Sequence, residues 1–167
     1  RGGHKNFEGF LSSYASSIRL RNNFNIVCFG GDAFSTYEVN LFAELKLSDN
    51  QLIQVSVSDN KLASFYRNAA LFVYPSIYEG FGIPPLEAMS LNCPVCCSDT
   101  SSIPEVVGNA AEYFDPHSIE SMRTSIENVL DSTTRQTELI KYGHLRCEKF
   151  SSKRCANETL KVYRSLS

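Results

Sequence analysis

The chain lacks a strong excess of charge of either sign. It has 16 Lys and Arg against 18 Asp and Glu, a formal net charge of −2, so its composition gives no electrostatic case for nucleic-acid binding. It also lacks an apolar run long enough to span a bilayer, an internal repeat, a low-complexity tract and a Pro/Ser-rich linker. With 167 residues, 43% hydrophobic and 20% charged, the sequence predicts one α/β domain with a full core.

The six cysteines lack the spacing of a metal site or of a disulfide framework. Residues 93–97 read Cys-Pro-Val-Cys-Cys, but a second pair of ligands at zinc spacing is missing and no histidine lies near in sequence. Cys28 and Cys96 sit inside apolar runs. These positions predict small buried thiols in a reducing cytosol rather than zinc ligands or disulfides.

Short apolar runs alternate along the chain with stretches of helical spacing, which is typical of a parallel sheet covered on both faces. The first helix is predicted from Lys5 to about Leu20, because apolar residues recur there at helical spacing. Ser35 and Glu38 form a capping box that predicts the start of another helix. The whole pattern predicts an α/β fold, a Rossmann-like doubly wound parallel sheet of about six strands with about seven helices.

One stretch combines a strand, a loop and the start of a helix. Residues 70–74 have the length and composition of a buried strand, and the proline that follows ends its pairing. Gly80 and Gly82 let the loop approach a ligand closely or adopt a positive φ. The prolines at 84 and 85 suit the first positions of a helix. In an open parallel sheet such a helix start is where ligands bind, and its free N–H groups and dipole favour a phosphate.

Two carboxylates bracket this loop, Glu79 before the glycines and Glu87 in the first turns of the helix. A carboxylate accepts two hydrogen bonds side by side, which matches the vicinal diol of a ribose or a pyranose. The pair therefore suits a phosphate flanked by two sugars, as in a nucleotide diphosphate sugar. The alternative is a solvated loop charge and a helix-start charge stabilised by the dipole, and spacing by itself favours that alternative.

Residues 75–89 read Pro-Ser-Ile-Tyr-Glu-Gly-Phe-Gly-Ile-Pro-Pro-Leu-Glu-Ala-Met. This stretch resembles the signature of the retaining GT-B glycosyltransferases of family four, also called group one, which have two glutamates separated by seven residues in this context. The resemblance extends over nearly the whole chain. It implies that residues 1–167 are the C-terminal, donor-binding domain of such an enzyme. Because the chain opens without an initiator Met, we expect a fragment whose N-terminal acceptor domain lies elsewhere, and which is inactive alone.

The resemblance implies roles for the residues that match the family's motifs. Arg1 and Lys5 would hold the donor diphosphate, as two cations near a dianion should. Gly82 and Ile83 would offer backbone N–H groups to the phosphates, and Glu79 would hold a hydroxyl of the donor sugar. The implied catalytic residues are therefore Glu79, Lys5 and Arg1.

Other matching positions would complete the donor site. Glu87 would bind the ribose diol, while the backbone at Gly80 and Phe81 would lie beside the sugar. Gly30 and Gly31 match the family's strand that ends in two glycines. The serine-rich residues 98–102 are expected to be mostly structural, lining the nucleotide end.

The base would contact the backbone around Val57 and Asp59, which resemble the family's segment after the third strand. A glycine commonly precedes that valine by two positions, but this chain has Val55 there. For Asp59, base contact and a plain helix N-cap are equally weighted. Since base contacts in the family are largely made by the backbone, the base stays open, with GDP-mannose as the first expectation and a UDP-sugar next.

The family transfers sugars with retention at the anomeric carbon, to saccharide or lipid-linked acceptors. The chain has no Asp-x-Asp motif, so the resemblance implies a metal-independent reaction in which a helix dipole and basic residues stabilise the leaving diphosphate. It suggests polysaccharide, O-antigen or glycolipid assembly in the cytoplasm, at or near the inner face of a membrane. Two alternatives stay open: a related GT-B glucan synthase or phosphorylase, and a non-catalytic nucleotide-sugar-binding module.

Overall fold

The computed structural model describes residues 2–56 and 58–166, in which strands and helices alternate along the chain. The strands of this part are β1 (Ile26–Phe29), β2 (Leu52–Val55), β3 (Phe72–Tyr74), β4 (Val95–Ser98) and β5 (Glu112–Phe114). Its α-helices are α1 (Phe7–Ala15), α2 (Ile18–Asn23), α3 (Thr36–Glu44), α4 (Asp59–Asn68), α5 (Ile83–Ser90), α6 (Ile103–Val107), α7 (Ile119–Asp131), α8 (Thr133–Cys147) and α9 (Ser152–Ser165). Short 3-10 helices lie at Gly3–Lys5 and Gly108–Ala110.

The described strands pair in parallel, β1 with β2 in one sheet and β3 with β4 and β5 in another. The prediction of about six strands is wrong for the described residues, which form five because their other apolar segments are mostly helical. Between the two sheets the rings of Phe29 and Phe72 stack with centroids 6.2 Å apart. An apolar cavity of about 620 Å³, lined by residues of β1 and β3, lies at this junction.

Two hydrophobic cores cover opposite faces of the strands, as a doubly wound fold requires. Along β4 the side chain of Cys96 joins one core, and those of Val95 and Cys97 join the other, because successive side chains of a strand point to opposite faces. The first core also contains residues of α1, α2 and α7, and the second contains residues of α4, α5 and α6. The predicted α/β, doubly wound class is confirmed.

The first helix differs from its prediction, because the segment expected to run from Lys5 to Leu20 forms two helices. It breaks after α1 at serines whose hydroxyls bond to the backbone: Ser16 Oγ donates to Ser13 O at 2.7 Å. Ser17 then caps α2 by accepting from the Leu20 N–H at 3.1 Å. Local bonds of this kind compete with the helical ladder. The predicted capping box of Ser35 and Glu38 is confirmed at the start of α3.

The predicted burial of the thiols is confirmed at residues 93–97 but not at Cys28, which is only partly buried on β1. Cys93, Cys96 and Cys97 are buried and free. Burial raises the pKa of each thiol, that of Cys93 to about 12, so these side chains are protonated core residues at neutral pH. Among the helices of the described ranges, none has the length and apolar character needed to cross a membrane.

Candidate functional site

A fixed turn presents Lys5 at the start of the chain. The 3-10 helix Gly3–Lys5 ends at Asn6, which has a left-handed φ of 52°. The Asn6 side chain donates to Pro116 O at 2.8 Å. Gly9 leaves room for that side chain, since a Cβ at Gly9 would lie 2.5 Å from Asn6 Oδ1. The turn that carries Lys5 is therefore anchored to the loop after β5.

This turn contacts the loop that follows β3. The backbone N–H of Ile77 donates to His4 O at 2.7 Å. The Lys5 Nζ lies 2.6 Å from Glu79 Oε1, and the two side chains are 45% and 14% exposed. The structure thus brings together two of the three side chains predicted to be catalytic. The third, Arg1, lies outside the described residues.

The environment of Glu79 favours its ionised form. Partial burial by itself raises the pKa of this carboxyl, but hydrogen bonds from Lys5, Ser76 and Tyr74 outweigh burial, so the pKa lies below its ordinary value. The Lys5 Nζ also lies 5.8 Å from the centroid of the Tyr74 ring, within cation–π range. Glu79 is therefore an anionic hydrogen-bond acceptor at neutral pH, next to a cation.

The loop leads into the N-terminus of α5. Gly82 is the N-cap residue with φ 105° and ψ 59°, a conformation that favours glycine. Prolines follow at the second and third helical positions, as predicted, and no described side chain caps this end. The N–H groups of Gly82 and Ile83 therefore stand at the positive end of the helix dipole, where an anion is stabilised.

Glu87 lies on α5, where it is exposed to solvent. The hydroxyl of Tyr66, on α4, donates to Glu87 Oε2 at 3.3 Å. Tyr66 itself is buried, and burial followed by the negative charge of Glu87 raises the pKa of its hydroxyl. Tyr66 was not singled out from the sequence, although it falls in the segment that resembles the family's residues after the third strand.

A second side chain missed from the sequence contacts the loop at Phe81. The rings of Phe81 and Phe150 meet edge to face with centroids 5.6 Å apart. The Arg146 guanidinium lies 4.9 Å from the centroid of Phe150, and its Nε donates to Val106 O at 2.7 Å. Phe150 thus links the loop to the end of α6. No local pattern in the sequence marks this contact, because Phe81 and Phe150 are far apart along the chain.

The other candidates lie at the carboxyl ends of β1 and β2. Gly30 and Gly31 follow β1 with φ of 80° and 74°, and Gln54 Nε2 donates to Gly30 O at 3.2 Å. Asp59 is the first residue of α4, and Ser58 holds the N-cap position, so the interpretation of Asp59 as an N-cap is wrong. The side chain of Asp59, like the whole of Val57, lies outside the described part of the chain.

Taken together, Lys5 and Glu79 lie side by side at the loop that leads into an uncapped helix N-terminus, and a second carboxylate, Glu87, lies on that helix. A model of the family described as glycosyl transferases group 1 matches residues 2–146. The chain belongs to this family. The resemblance seen in the motif at residues 75–89 is thereby confirmed.

Relatives of this glycosyltransferase group 1 chain include two bacterial enzymes. An O-antigen chain mannosyltransferase B of Escherichia coli is 40% identical over 111 residues, which is 66% of this chain and 29% of that protein. An O-antigen chain mannosyltransferase of Salmonella typhimurium is 37% identical over 129 residues, 75% of this chain and 35% of that protein. The chain therefore spans about a third of the length of these relatives.

The fold has a solved counterpart in a sucrose-phosphate synthase from Thermosynechococcus elongatus. The two superpose with a TM-score of 0.85 over 98% of this chain and 42% of that chain, at 24% sequence identity. At this identity the likeness concerns the fold, and it agrees with the GT-B architecture implied by the sequence.

Proposed function

We propose that this chain is the donor-binding domain of a retaining glycosyltransferase that moves a sugar from a nucleotide diphosphate sugar to a saccharide or lipid-linked acceptor. The observation that carries the proposal is the Lys5–Glu79 contact beside the uncapped N-terminus of α5. A diphosphate needs positive charge and N–H donors, and a sugar hydroxyl needs an acceptor. Lys5 supplies the positive charge, the start of α5 supplies the N–H donors, and the Glu79 carboxylate is the acceptor.

The donor diphosphate lies at the start of α5 in this proposal. The N–H groups of Gly82 and Ile83 bind its oxygens, and Lys5, with Arg1, neutralises its charge. As the bond to the sugar breaks, negative charge grows on the leaving phosphate, and these groups stabilise it electrostatically. The positive charge comes from the protein itself, so we propose that the reaction proceeds without a divalent metal.

The two carboxylates hold the two sugars of the donor. Glu79 accepts from a hydroxyl of the transferred sugar, and Glu87 accepts from the ribose diol, steadied by Tyr66. The backbone lies close to the donor at four further positions, which are Gly30, Gly31, Gly80 and Phe81. For the base we propose guanine, with GDP-mannose as donor and a UDP-sugar next. The description of two relatives as O-antigen chain mannosyltransferases supports a mannosyl donor.

The acceptor site belongs to a part of the protein outside this chain. Because the chain spans about a third of its relatives, we propose that it binds the donor but does not turn over alone. The complete enzyme would act in O-antigen, polysaccharide or glycolipid assembly at the cytoplasmic face of a membrane. Sugar transfer by the purified chain to an added acceptor, at a rate comparable to the full protein, would overturn this part.

Calorimetric titration tests the donor site. The chain is titrated with GDP, UDP, ADP and CDP, with and without Mg²⁺, next to Glu87→Ala and to the control Glu120→Ala, whose side chain is 85% exposed on α7. We expect one nucleotide to bind best, equally well without Mg²⁺, and more weakly to Glu87→Ala than to the control. If none binds to this chain or to the full protein, the proposal is wrong.

A further inference from the structure

The loop between β4 and α6 carries three consecutive hydroxyl groups, on Thr100, Ser101 and Ser102. From the sequence this loop was expected to be mostly structural. In the structure its hydroxyls bond to the backbone of the loop that contains Glu79. Thr100 Oγ1 donates to Ile77 O at 2.9 Å. The contacts of the two serines centre on Glu79 itself.

Ser101 bonds to the backbone of Glu79 in both directions. Its Oγ donates to Glu79 O at 2.8 Å and accepts from the Glu79 N–H at 3.3 Å. The single hydroxyl proton of Ser102 is shared between two acceptors, Glu79 O at 2.7 Å from Oγ and Phe81 O at 3.2 Å. The hydroxyl groups thus hold alternate carbonyl groups of one short loop segment.

The same segment also contacts the turn that carries Lys5. The Ile77 N–H donates to His4 O, and the Glu79 side chain meets Lys5 Nζ. The Glu79 side chain therefore projects from a backbone held by two separate parts of the chain. A side chain reaches its partner accurately when the groups that support it are themselves fixed.

Ser101 adopts a backbone conformation that a serine rarely takes. Its φ is 57°, in the left-handed region where residues other than glycine are uncommon. Glycine would fit this conformation with less strain, but it has no hydroxyl. Strain of this kind persists where the surrounding structure enforces it, often at functional sites. The loop leads directly into α6, which is held in the core by the fully buried side chains of Ile103 and Val107.

We propose that Ser101, assisted by Ser102, is a positioning residue that sets the place of Glu79 relative to Lys5 and the donor sugar. The role rests on the proposed donor-binding function. Ser101 acts through Glu79, so it matters for a ligand that carries the sugar. A diphosphate without the sugar, bound by Lys5 and the start of α5, does not depend on it.

The variant Ser101→Gly separates positioning from stability, because glycine relieves the strained φ while removing the hydroxyl. The matched control is Lys46→Gly, which relieves a φ of 55° at the end of α3. We expect both variants to unfold at or above the temperature of the unmodified chain. Ser101→Gly then binds GDP-mannose about five-fold more weakly, the loss expected for about one net hydrogen bond, and binds GDP as before. If GDP is not bound, UDP-glucose and UDP serve as the pair.

The proposal would be overturned if Ser101→Gly weakened the binding of both ligands equally, or weakened the binding of neither. A measurement without ligand tests the positioning role of Ser101 independently of whether the donor proposal is right. The pKa of the Glu79 carboxyl, followed by NMR, should rise in Ser101→Gly because its contact with Lys5 loosens, and should stay unchanged in Lys46→Gly. An unchanged pKa in Ser101→Gly would contradict the positioning role even if no nucleotide binds.

Discussion

Lys5 and Glu79 are 74 positions apart in the sequence, yet Lys5 Nζ lies 2.6 Å from Glu79 Oε1. The contact joins the first turn of the chain to the loop before α5. The contact holds both charged groups next to the start of α5. We propose that the donor binds between this ion pair and the helix N-terminus. Because Lys5 is nearly half exposed, solvent screens the pair, and we expect its main effect on ligand binding rather than on stability.

The Lys5–Glu79 contact predicts how Glu79 titrates. Lys5 is one of the groups that hold the pKa of Glu79 below its usual value, so Lys5→Met should raise that pKa, as followed by NMR. Since the folded-state pKa is lowered, the contribution of Glu79 to stability is complete above the unfolded value and is lost as the pH falls through the folded value. The stability difference between the unmodified chain and Lys5→Met should therefore shrink as the pH falls below about 4 and disappear below the folded-state pKa of Glu79.

Lys141→Met is the matched control, because Lys141 is exposed on α8. It should leave the Glu79 titration unchanged. If Glu79 titrates in Lys5→Met as it does in the unmodified chain, Lys5 does not set the charge of this carboxylate in solution.

The loop between β3 and α5, residues 75–82, is called the donor loop because we propose that the donor binds there. Its two glycines should differ in their tolerance of a side chain. Gly82 has φ 105°, so Gly82→Ala should cost about 1–3 kcal/mol of stability from backbone strain. A Cβ at Gly80 would lie more than 4 Å from every atom of the described residues, and the φ of Gly80 is not positive. Gly80→Ala should therefore unfold close to the unmodified temperature. Thermal unfolding of both variants makes the comparison, and equal losses would contradict the backbone conformation described for Gly82.

Tyr66 should support nucleotide binding through Glu87. Tyr66→Phe removes the hydroxyl that donates to Glu87 at 3.3 Å and keeps the buried ring, so we expect a fall in nucleotide affinity of about two- to ten-fold. Calorimetry with the best-bound nucleotide measures it. Tyr163→Phe, at an exposed tyrosine of α9, is the control and should bind normally. If the two variants bind alike, Tyr66 is a packing residue and no more.

Phe150 should steady the donor loop through Phe81. Phe150→Ala removes a ring whose centroid lies 5.6 Å from that of Phe81, a contact of about 0.5–1.5 kcal/mol beyond area burial. We expect faster amide hydrogen exchange in the loop before α5 and weaker binding of the nucleotide sugar. Leu145→Ala, at an exposed position of α8, controls for truncation in the same region. Unchanged exchange in the loop would rule out this support.

Much of the donor loop could be predicted from the sequence because its signals are local. The strand, the glycines and the prolines follow one another directly, and each has one strong backbone preference. The break after α1 also had a local signal, because Ser17 is a good N-cap residue within an otherwise helical pattern.

The contacts that fix the site could not be predicted in this way. Lys5 was expected near the donor diphosphate from the resemblance, but its contact with Glu79 depends on how the first turn packs against the β3 loop. Ser101 and Ser102 bond to backbone carbonyls 21 to 23 positions away. Such bonds need hydroxyls but no periodic spacing, so the sequence shows a polar loop without showing its partner.

The most direct test of donor binding at the start of α5 is NMR titration of the ¹⁵N-labelled chain with GDP-mannose. Gly82 and Ile83 keep their N–H groups while the next two residues are prolines, so their amide signals report on this helix end alone. We predict that they shift most strongly, together with Glu79, and that UDP-glucose shifts the same amides if uracil is the base. Saturable binding whose shifts leave Gly82 and Ile83 unmoved would contradict the placement of the donor diphosphate there.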